Sequence, residues 1–202
     1  MADLLKETIN LFPDGILFGS FLMGLITVSA PHTIFFLSNV IGLFILYGIQ
    51  HMTKVIYGTS VPVPGCKSKL FKHTFEQLFV SPSANAPSYA TYMVGFACSY
   101  FATSLMNLKD ELEVLDTSVM KQYNISLLCL GVFALFYMVY LIFTQCESTG
   151  SITSGLVFGL IAAMIIVNIN VQLFGKDSIN FVGIPLLRNK AVDGKPIYIC
   201  SK

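Results

Sequence analysis

Long uncharged stretches alternate with short charged ones along this chain of 202 residues. No Asp, Glu, Lys or Arg occurs in residues 15–53, 77–108, 122–146 and 148–175. A helix that crosses a membrane needs about 20 consecutive, mostly apolar residues. Each of the three later stretches is long enough for one such helix, and the first stretch is long enough for two.

Five membrane-spanning helices are therefore predicted, packed in one bundle. Their predicted ranges are 15–30, 32–51, 88–106, 124–144 and 152–174. The first stretch is divided at Pro31, because one straight helix over residues 15–53 would be about 58 Å long at 1.5 Å per residue, and the hydrocarbon core is only about 30 Å thick. The predicted fold class is an all-α integral membrane protein with about five transmembrane helices.

The composition favours a membrane protein over an apolar soluble bundle. Hydrophobic residues make up 54% and charged residues 11% of the chain, whereas soluble domains carry about 25% charged residues. A soluble helix also needs a polar stripe that faces water, and the predicted helices lack one. We divide the chain into an interfacial N-terminal segment 1–14, a transmembrane domain 15–174 with a basic loop 54–87, and an extramembrane tail 175–202.

The charges between the predicted helices leave the membrane orientation open. The loop 54–87 carries four lysines against one glutamate, a net +3, and the connection 107–121 carries two lysines against four acids, a net −2. The excess of lysine favours a cytoplasmic loop, but the tail on the opposite side is also basic. The basic residues predicted to contact lipid headgroups or partner proteins are Lys67, Lys69, Lys72 and Arg188.

Both extramembrane parts carry patterns typical of contact surfaces. In the basic loop, Phe71, Phe75, Leu78 and Phe79 follow helical spacing, which predicts an amphipathic helix on the membrane surface or against a partner. In the tail, residues 195–200 alternate apolar and polar side chains. This alternation predicts a short strand that adds to the sheet edge of a partner; an unstructured tail is the alternative.

Few residues of this chain are suited to metal or cofactor chemistry. The five cysteines lack the spacing of metal ligands, and His32, His51 and His73 have no second ligand at helical spacing. We expect no metal ion, no cofactor and no nucleic-acid partner. Transporters and proton pumps place ionisable groups inside the membrane, and the predicted helices contain no Asp, Glu, Lys or Arg.

Small and amide residues in the last predicted helix favour helix packing. Gly155 and Gly159 allow a neighbouring helix to approach closely. Asn168 and Gln172 are four residues apart and share a helix face, where they are predicted to hydrogen-bond a neighbouring helix. A polar pore lining is the alternative interpretation of these two amides.

Three motifs on one predicted membrane face follow the order of known enzyme signatures. Lys54 is followed after six residues by Val61-Pro62, and Pro87-Ser88-Tyr89-Ala90 leads into the third helix. Residues 140–159 then supply a Tyr-Leu pair and two glycines four residues apart. This layout resembles a compact member of the type 2 phosphatidic acid phosphatase superfamily, whose signatures read K-x6-R-P, P-S-G-H and S-R-x5-H-x3-D.

The resemblance implies the scaffold of these phosphatases without their chemistry. Val61 stands where the family has a phosphate-binding arginine, and Ala90 stands where it has a histidine as general acid. Residues 144–151 contain no arginine or histidine, and their only acid is Glu147. The family's reaction needs a nucleophile and cations that stabilise the oxyanions. The motifs therefore predict an inactive relative with no catalytic residues and no small-molecule substrate.

The expected function is structural rather than catalytic. The inactive layout with its basic loop is also similar to membrane proteins of large DNA virus particles, which implies a place in a virion internal membrane or among minor capsid proteins. The expected partners are the lipid bilayer and other protein subunits of a large complex; an organellar membrane complex is the alternative setting. Two other functions stay open: a lipid phosphatase or phosphotransferase that uses Lys54 and Glu147, and a channel or carrier with a polar path past Asn168 and Gln172.

Overall fold

Helices make up nearly all of the part of the chain that the structure describes. The structure is a computed structural model, and it describes residues 2–57, 86–115, 117–144, 147–181, 191–192 and 195–196. The helices are α1 (Ala2–Thr27), α2 (Ala30–Tyr57), α3 (Tyr89–Asn107), α4 (Lys109–Leu115), α5 (Thr117–Thr144) and α6 (Thr149–Phe174), followed by a 3-10 turn (Lys176–Ile179). The predicted all-α helical bundle is confirmed.

Four of the helices are long and apolar enough to cross a membrane. These spans are Thr8–Thr27 in α1, Ala30–Ile56 in α2, Lys121–Thr144 in α5 and Thr149–Phe174 in α6. The side chains on their outer faces are apolar and exposed; 72% of the Phe44 surface and 81% of the Phe143 surface is accessible. Soluble monomers rarely expose large contiguous apolar patches. The chain is therefore an integral membrane protein.

The boundary between α1 and α2 differs from the prediction. α2 begins at Ala30, so Pro31 lies in its first turn rather than between two helices. A proline is tolerated there, because the first N–H groups of a helix have no acceptor within the helix. The chain turns instead at Val28, whose φ of 48° lies in the left-handed region. Gly24 then packs directly against the Thr33 backbone of the next helix.

The first membrane span also begins earlier than predicted and contains an acid. α1 starts at Ala2 and continues through Pro13, so the predicted interfacial segment 1–14 is continuous with the spanning helix. Membrane helices tolerate an internal proline when neighbouring groups satisfy the freed backbone. The span from Thr8 includes Asp14, which is buried in the bundle. The spans of the structure also include Lys54 and Lys121 near their ends, so the prediction that the spans contain no Asp, Glu, Lys or Arg is wrong at these three residues.

The third predicted helix, α3, is the centre of the bundle. Its Tyr92, Met93, Phe96 and Tyr100 side chains are fully buried. With 19 residues, α3 is about 28 Å long at 1.5 Å per residue, close to the hydrocarbon thickness of about 30 Å. Its Ser, Thr and Tyr residues make it less apolar than the four spans. Since protein rather than lipid surrounds α3, its surface does not need to be purely apolar.

The contact between α3 and α6 is made by backbones that approach closely. A Cβ atom at Gly155 would lie 2.6 Å from the Ser88 carbonyl oxygen, and one at Gly159 would lie 2.9 Å from the Phe96 nitrogen. These distances leave no room for a side chain at either position. The structure therefore places both glycines, predicted as packing residues, where α6 crosses the central helix.

The start of the predicted tail belongs to the packed bundle. Lys176 forms an ion pair of 2.7 Å with Glu111, which attaches the 3-10 turn to α4. The Phe181 ring lies edge-on against Phe101, with ring centroids 5.2 Å apart. The last spanning helix ends at Phe174, next to the predicted boundary at residue 175, and residues 176–181 beyond it pack against the bundle.

Two short strands of the tail pair with each other. Strand β1 (Ala191–Val192) is antiparallel to β2 (Lys195–Pro196), with Ala191 opposite Pro196 and Val192 opposite Lys195. The sequence between them is Asp-Gly, a pair typical of two-residue hairpin loops. Residues 195–196, predicted to extend the sheet of a partner, therefore pair within the chain itself.

Candidate functional site

Three helix ends meet where the phosphatase-like motifs were predicted to share a membrane face. Gln50 of α2 donates through Nε2 to the Pro87 carbonyl at 2.9 Å. The Ser88 N–H donates to the Ser151 carbonyl at 3.0 Å, and the Ser151 hydroxyl donates to the Ala86 carbonyl. The residues of this helix junction are Gln50, Ala86, Pro87, Ser88, Glu147, Ser148 and Ser151.

Serine side chains begin both helices at the junction. The Ser88 Oγ accepts from the Thr91 N–H at 3.4 Å, and the Ser148 Oγ accepts from the Ser151 N–H at 3.1 Å. Serine is a favoured N-cap, because its oxygen satisfies an N–H group that has no partner within the helix. The positive ends of the α3 and α6 dipoles therefore lie at the same end of the bundle.

Glu147 is the acidic side chain at this positive end. The Ser88 hydroxyl hydrogen-bonds the Glu147 carboxyl, yet burial raises the pKa of Glu147 more than this bond lowers it. The Glu147 Oε2 atom is buried without a partner among the described residues. A helix N-terminus is a natural anion site, and here the chain's own carboxyl group lies beside it.

The raised pKa of Glu147 predicts a dependence of stability on pH. In the folded chain the carboxyl keeps its proton to a higher pH than in the unfolded chain, so stability is highest below pH 4.5, its ordinary value. As the pH rises from there to the raised pKa, the unfolded state releases its proton first. Stability should then fall by at most about 1.4 kcal/mol per pH unit.

The Glu147→Gln variant tests this dependence, because glutamine keeps the neutral form at every pH. Thermal unfolding in one detergent, measured from pH 4 to pH 8, should give a flatter profile for Glu147→Gln than for the wild type. Glu113→Gln is the matched control, since Glu113 is exposed on α4. Profiles of equal slope for the wild type and Glu147→Gln would show that Glu147 has no raised pKa.

The remaining motif positions are spread around the junction. Lys54 is exposed in the last turn of α2, one turn beyond Gln50. Ala90 is half-buried in the first turn of α3 and packs against the apolar cluster shared with α5. The predicted residues that lie outside the described part of the chain are Val61, Pro62, Lys67, Lys69, Lys72 and Arg188, and the amphipathic helix predicted on Phe71, Phe75, Leu78 and Phe79 lies there too.

A second polar contact attaches α1 to the start of α3. The Tyr89 hydroxyl donates to Asp14 Oδ1 at 2.9 Å, and both residues are buried. A carboxyl group inside a membrane bundle is stable only when it is paired or solvated, and Tyr89 provides that partner. Sequence reasoning missed this pair, because the first span was started one residue after Asp14.

A third polar cluster joins α2, α3 and α6 at the other end of the bundle. The buried Asn170 donates through Nδ2 to Ser38 Oγ at 2.9 Å and to the Tyr100 hydroxyl at 3.1 Å. The predicted pair Asn168 and Gln172 is exposed instead, and Asn168 donates to the Met164 carbonyl of its own helix. Asn170, not Asn168 or Gln172, bonds the neighbouring helices within the chain.

The described polar groups are arranged for helix contacts. Within the described ranges, no three His, Cys, Asp or Glu side chains come close enough to hold a metal ion. The junction offers amide, hydroxyl and carboxyl groups, and most of them bond a neighbouring helix end. His32 lies elsewhere, at the turn between α1 and α2, where its Nδ1 bonds the Ser29 hydroxyl.

Comparison with known proteins gives no neighbour for this arrangement. No family model, no curated protein and no solved structure matches the chain. The resemblance to the phosphatase superfamily and to virus membrane proteins therefore stays a prediction from the motifs.

Proposed function

We propose that this integral membrane protein is a non-catalytic anchor in a larger membrane-associated assembly, such as the internal membrane or minor capsid layer of a virus particle. The observation that carries the proposal is the helix junction. Ser88, Ser151 and Gln50 occupy its centre and donate to backbone carbonyls of neighbouring segments. Groups that fix helix ends in this way are not free to bind a substrate.

The charge at the junction also disfavours a phosphate ligand. Phosphoryl groups are held best by arginine and other cations placed to meet the developing negative charge. The side chain that bonds the α3 N-cap Ser88 is instead an acid, Glu147. A phosphate at this place would be repelled whenever Glu147 is ionised.

The outer surface of the bundle suits an anchoring role. Large apolar side chains on α1, α2, α5 and α6 are exposed, and they include Phe18, Phe44, Phe136 and Phe158. Lipid chains and the apolar helices of partner proteins are the two environments that cover such side chains favourably. An anchor uses both, because it must stay in the bilayer while it holds other subunits.

A channel or carrier is the less favoured alternative. Such a protein needs a continuous polar path, and the predicted path ran past Asn168 and Gln172, which are exposed on the outer side of α6. Aromatic side chains of Tyr92, Phe96 and Tyr100 fill the space along α3 instead. A groove of about 370 Å³ between α1, α3 and α5 is lined by apolar side chains, among them Val94 and Phe133.

Fractionation of the native membrane tests the proposal. The chain is solubilised from its source membrane in mild detergent, the particle that contains it is sized, and the same fraction is assayed for hydrolysis of phosphatidate and prenyl diphosphates. We expect a particle much larger than the 22.2 kDa chain and no hydrolysis. A free chain that hydrolyses either lipid, with activity lost in Lys54→Ala, would support the phosphatase instead.

A further inference from the structure

Helix α6 has two faces of different character. Its inner face packs on α3 through Gly155 and Gly159 and on the polar cluster through Asn170. The side chains of its outer face are exposed, Ile161 to 48% and Ile165 to 54%. The residues of this outer seam, separated by steps of three and four, are Phe158, Ile161, Ile165, Asn168 and Gln172.

Asn168 places an amide group within the hydrocarbon region. α6 has 26 residues, so its midpoint falls near residues 161–162, and Asn168 lies about 10 Å from it at 1.5 Å per residue. The half-thickness of the hydrocarbon core is about 15 Å. The Asn168 Nδ2 bonds the Met164 carbonyl, while its Oδ1 has no partner among the described residues. Lipid chains offer no donor to this oxygen, so its exposure is unfavourable.

We propose that the outer seam of α6 binds the outer seam of a second copy of this chain, forming a parallel pair of α6 helices in the membrane. Steps of three and four residues are the spacing of a left-handed helix pair, in which side chains of one helix fit between those of the other. Phe158, Ile161 and Ile165 form the apolar part of this seam. A single asparagine in such a seam fixes the register of the pair.

The membrane itself favours a second copy as the occupant. All copies are inserted with the same orientation, so a two-fold axis along the membrane normal brings Asn168 of both copies to the same depth. An amide is both donor and acceptor, and two equal amides at one depth satisfy each other. Gln172 lies one turn further along α6, and the Gln172 amides of the two copies can pair in the same way near the membrane surface. A different protein would need a hydrogen-bond donor placed at that depth, and lipid chains have none.

The inference goes beyond the proposed function, because an anchor can act as a monomer or as a dimer. It also gives the exposed Asn168 and Gln172 a role that the single chain does not provide. Leucine at both positions removes the amides while it keeps similar volume and an apolar surface. Since both side chains are exposed, this change leaves the contacts inside the bundle intact.

Dimerisation of the purified full chain in liposomes tests the proposal. Fluorescently labelled protein is reconstituted over a range of protein-to-lipid ratios, and single-molecule photobleaching counts the copies per particle. We expect the wild type to dimerise and the Asn168→Leu/Gln172→Leu variant to dissociate about ten-fold more readily, since amide pairs between membrane helices are worth about 1–2 kcal/mol. Asn124→Leu, which removes an exposed amide from α5, should dimerise like the wild type.

Two results would overturn the proposal. A wild type that stays monomeric at every ratio would assign the seam to lipid or to a different protein. A double variant that dimerises as tightly as the wild type would show that another surface holds the copies together. Thermal unfolding of each variant in the same lipid confirms that the bundle is folded before the copies are counted.

Discussion

The Gly159→Leu variant should fail to form the folded bundle. A Cβ atom at position 159 falls 2.9 Å from the Phe96 nitrogen and closer still to the Tyr92 carbonyl oxygen. Both atoms belong to the backbone of the central helix, so no side-chain rotation relieves the overlap. α6 must move away from α3, and we expect a loss at or above the upper end of the usual overpacking cost of about 1–3 kcal/mol. Size-exclusion chromatography and thermal unfolding in one detergent measure this loss.

Gly131→Leu is the matched control for this substitution. Gly131 lies on the outer side of α5, and an added Cβ meets nothing within 4 Å. The control should therefore fold and be at least as stable as the wild type, because leucine also favours a helix more than glycine does. Alanine variants give a second comparison. Gly131→Ala is expected to stabilise its helix by up to about 1 kcal/mol, whereas the Cβ of Gly159→Ala would overlap the Tyr92 carbonyl oxygen and destabilise the bundle. Equal stability of the two leucine variants would refute the close packing of α6 on α3.

The Asn170→Leu variant should lose about 1–2 kcal/mol of stability. Its amide donates to the Ser38 and Tyr100 hydroxyls, which belong to two other helices. Leucine fills a similar volume, so the loss reports the hydrogen bonds rather than a cavity. Unfolding of the wild type and the variant in the same lipid–detergent mixture, followed by circular dichroism, gives the difference in the free energy of unfolding.

A double-mutant cycle separates the hydrogen bonds of Asn170 from its packing. Ser38→Ala should cost less in the Asn170→Leu background than in the wild type, because the bond between the two residues is already absent. Asn124→Leu is again the control, since Asn124 is exposed on α5. Strictly additive effects of Ser38→Ala and Asn170→Leu would contradict the cluster.

The helices could be predicted from the sequence, but the enclosure of α3 could not. Stretches without charged residues show where the chain can cross a membrane, because this depends only on the local sequence. Which helix the others surround depends on packing between distant segments. One signal was present in the sequence, because Ser, Thr and Tyr are frequent between Tyr89 and Asn107. Such polar residues are tolerated in a membrane helix that is surrounded by protein and not by lipid.

The choice of the wrong amides in α6 has a similar cause. Asn168 and Gln172 share a helix face, but spacing does not tell which face turns inward. The glycines do, because a helix packs closely on the side that carries them. From Gly159, steps of three and four residues lead through Ala162 and Ile166 to Asn170, so the inward amide could have been identified. Asp14 was missed for another reason, since the first span was started at the beginning of the uncharged stretch, one residue after Asp14.

The contact between Ser88 and Glu147 was only partly predictable. The motifs placed both residues on one membrane face, and the structure places them together at the helix junction. Sequence spacing does not give the path of the connection between α5 and α6, which decides whether the carboxyl reaches the α3 N-terminus. The hydrogen bonds of Ser151 and Gln50 to backbone carbonyls depend on the same close approach.

The most direct test of the central claim, that this membrane bundle is a scaffold without phosphatase chemistry, is hydrolysis of phosphatidate by the chain-containing fraction. Wild type, Lys54→Ala and Glu147→Gln are compared at equal amounts of folded protein. We expect no release of phosphate above that of a blank membrane for any of the three proteins. Release by the wild type that disappears in Lys54→Ala would contradict it.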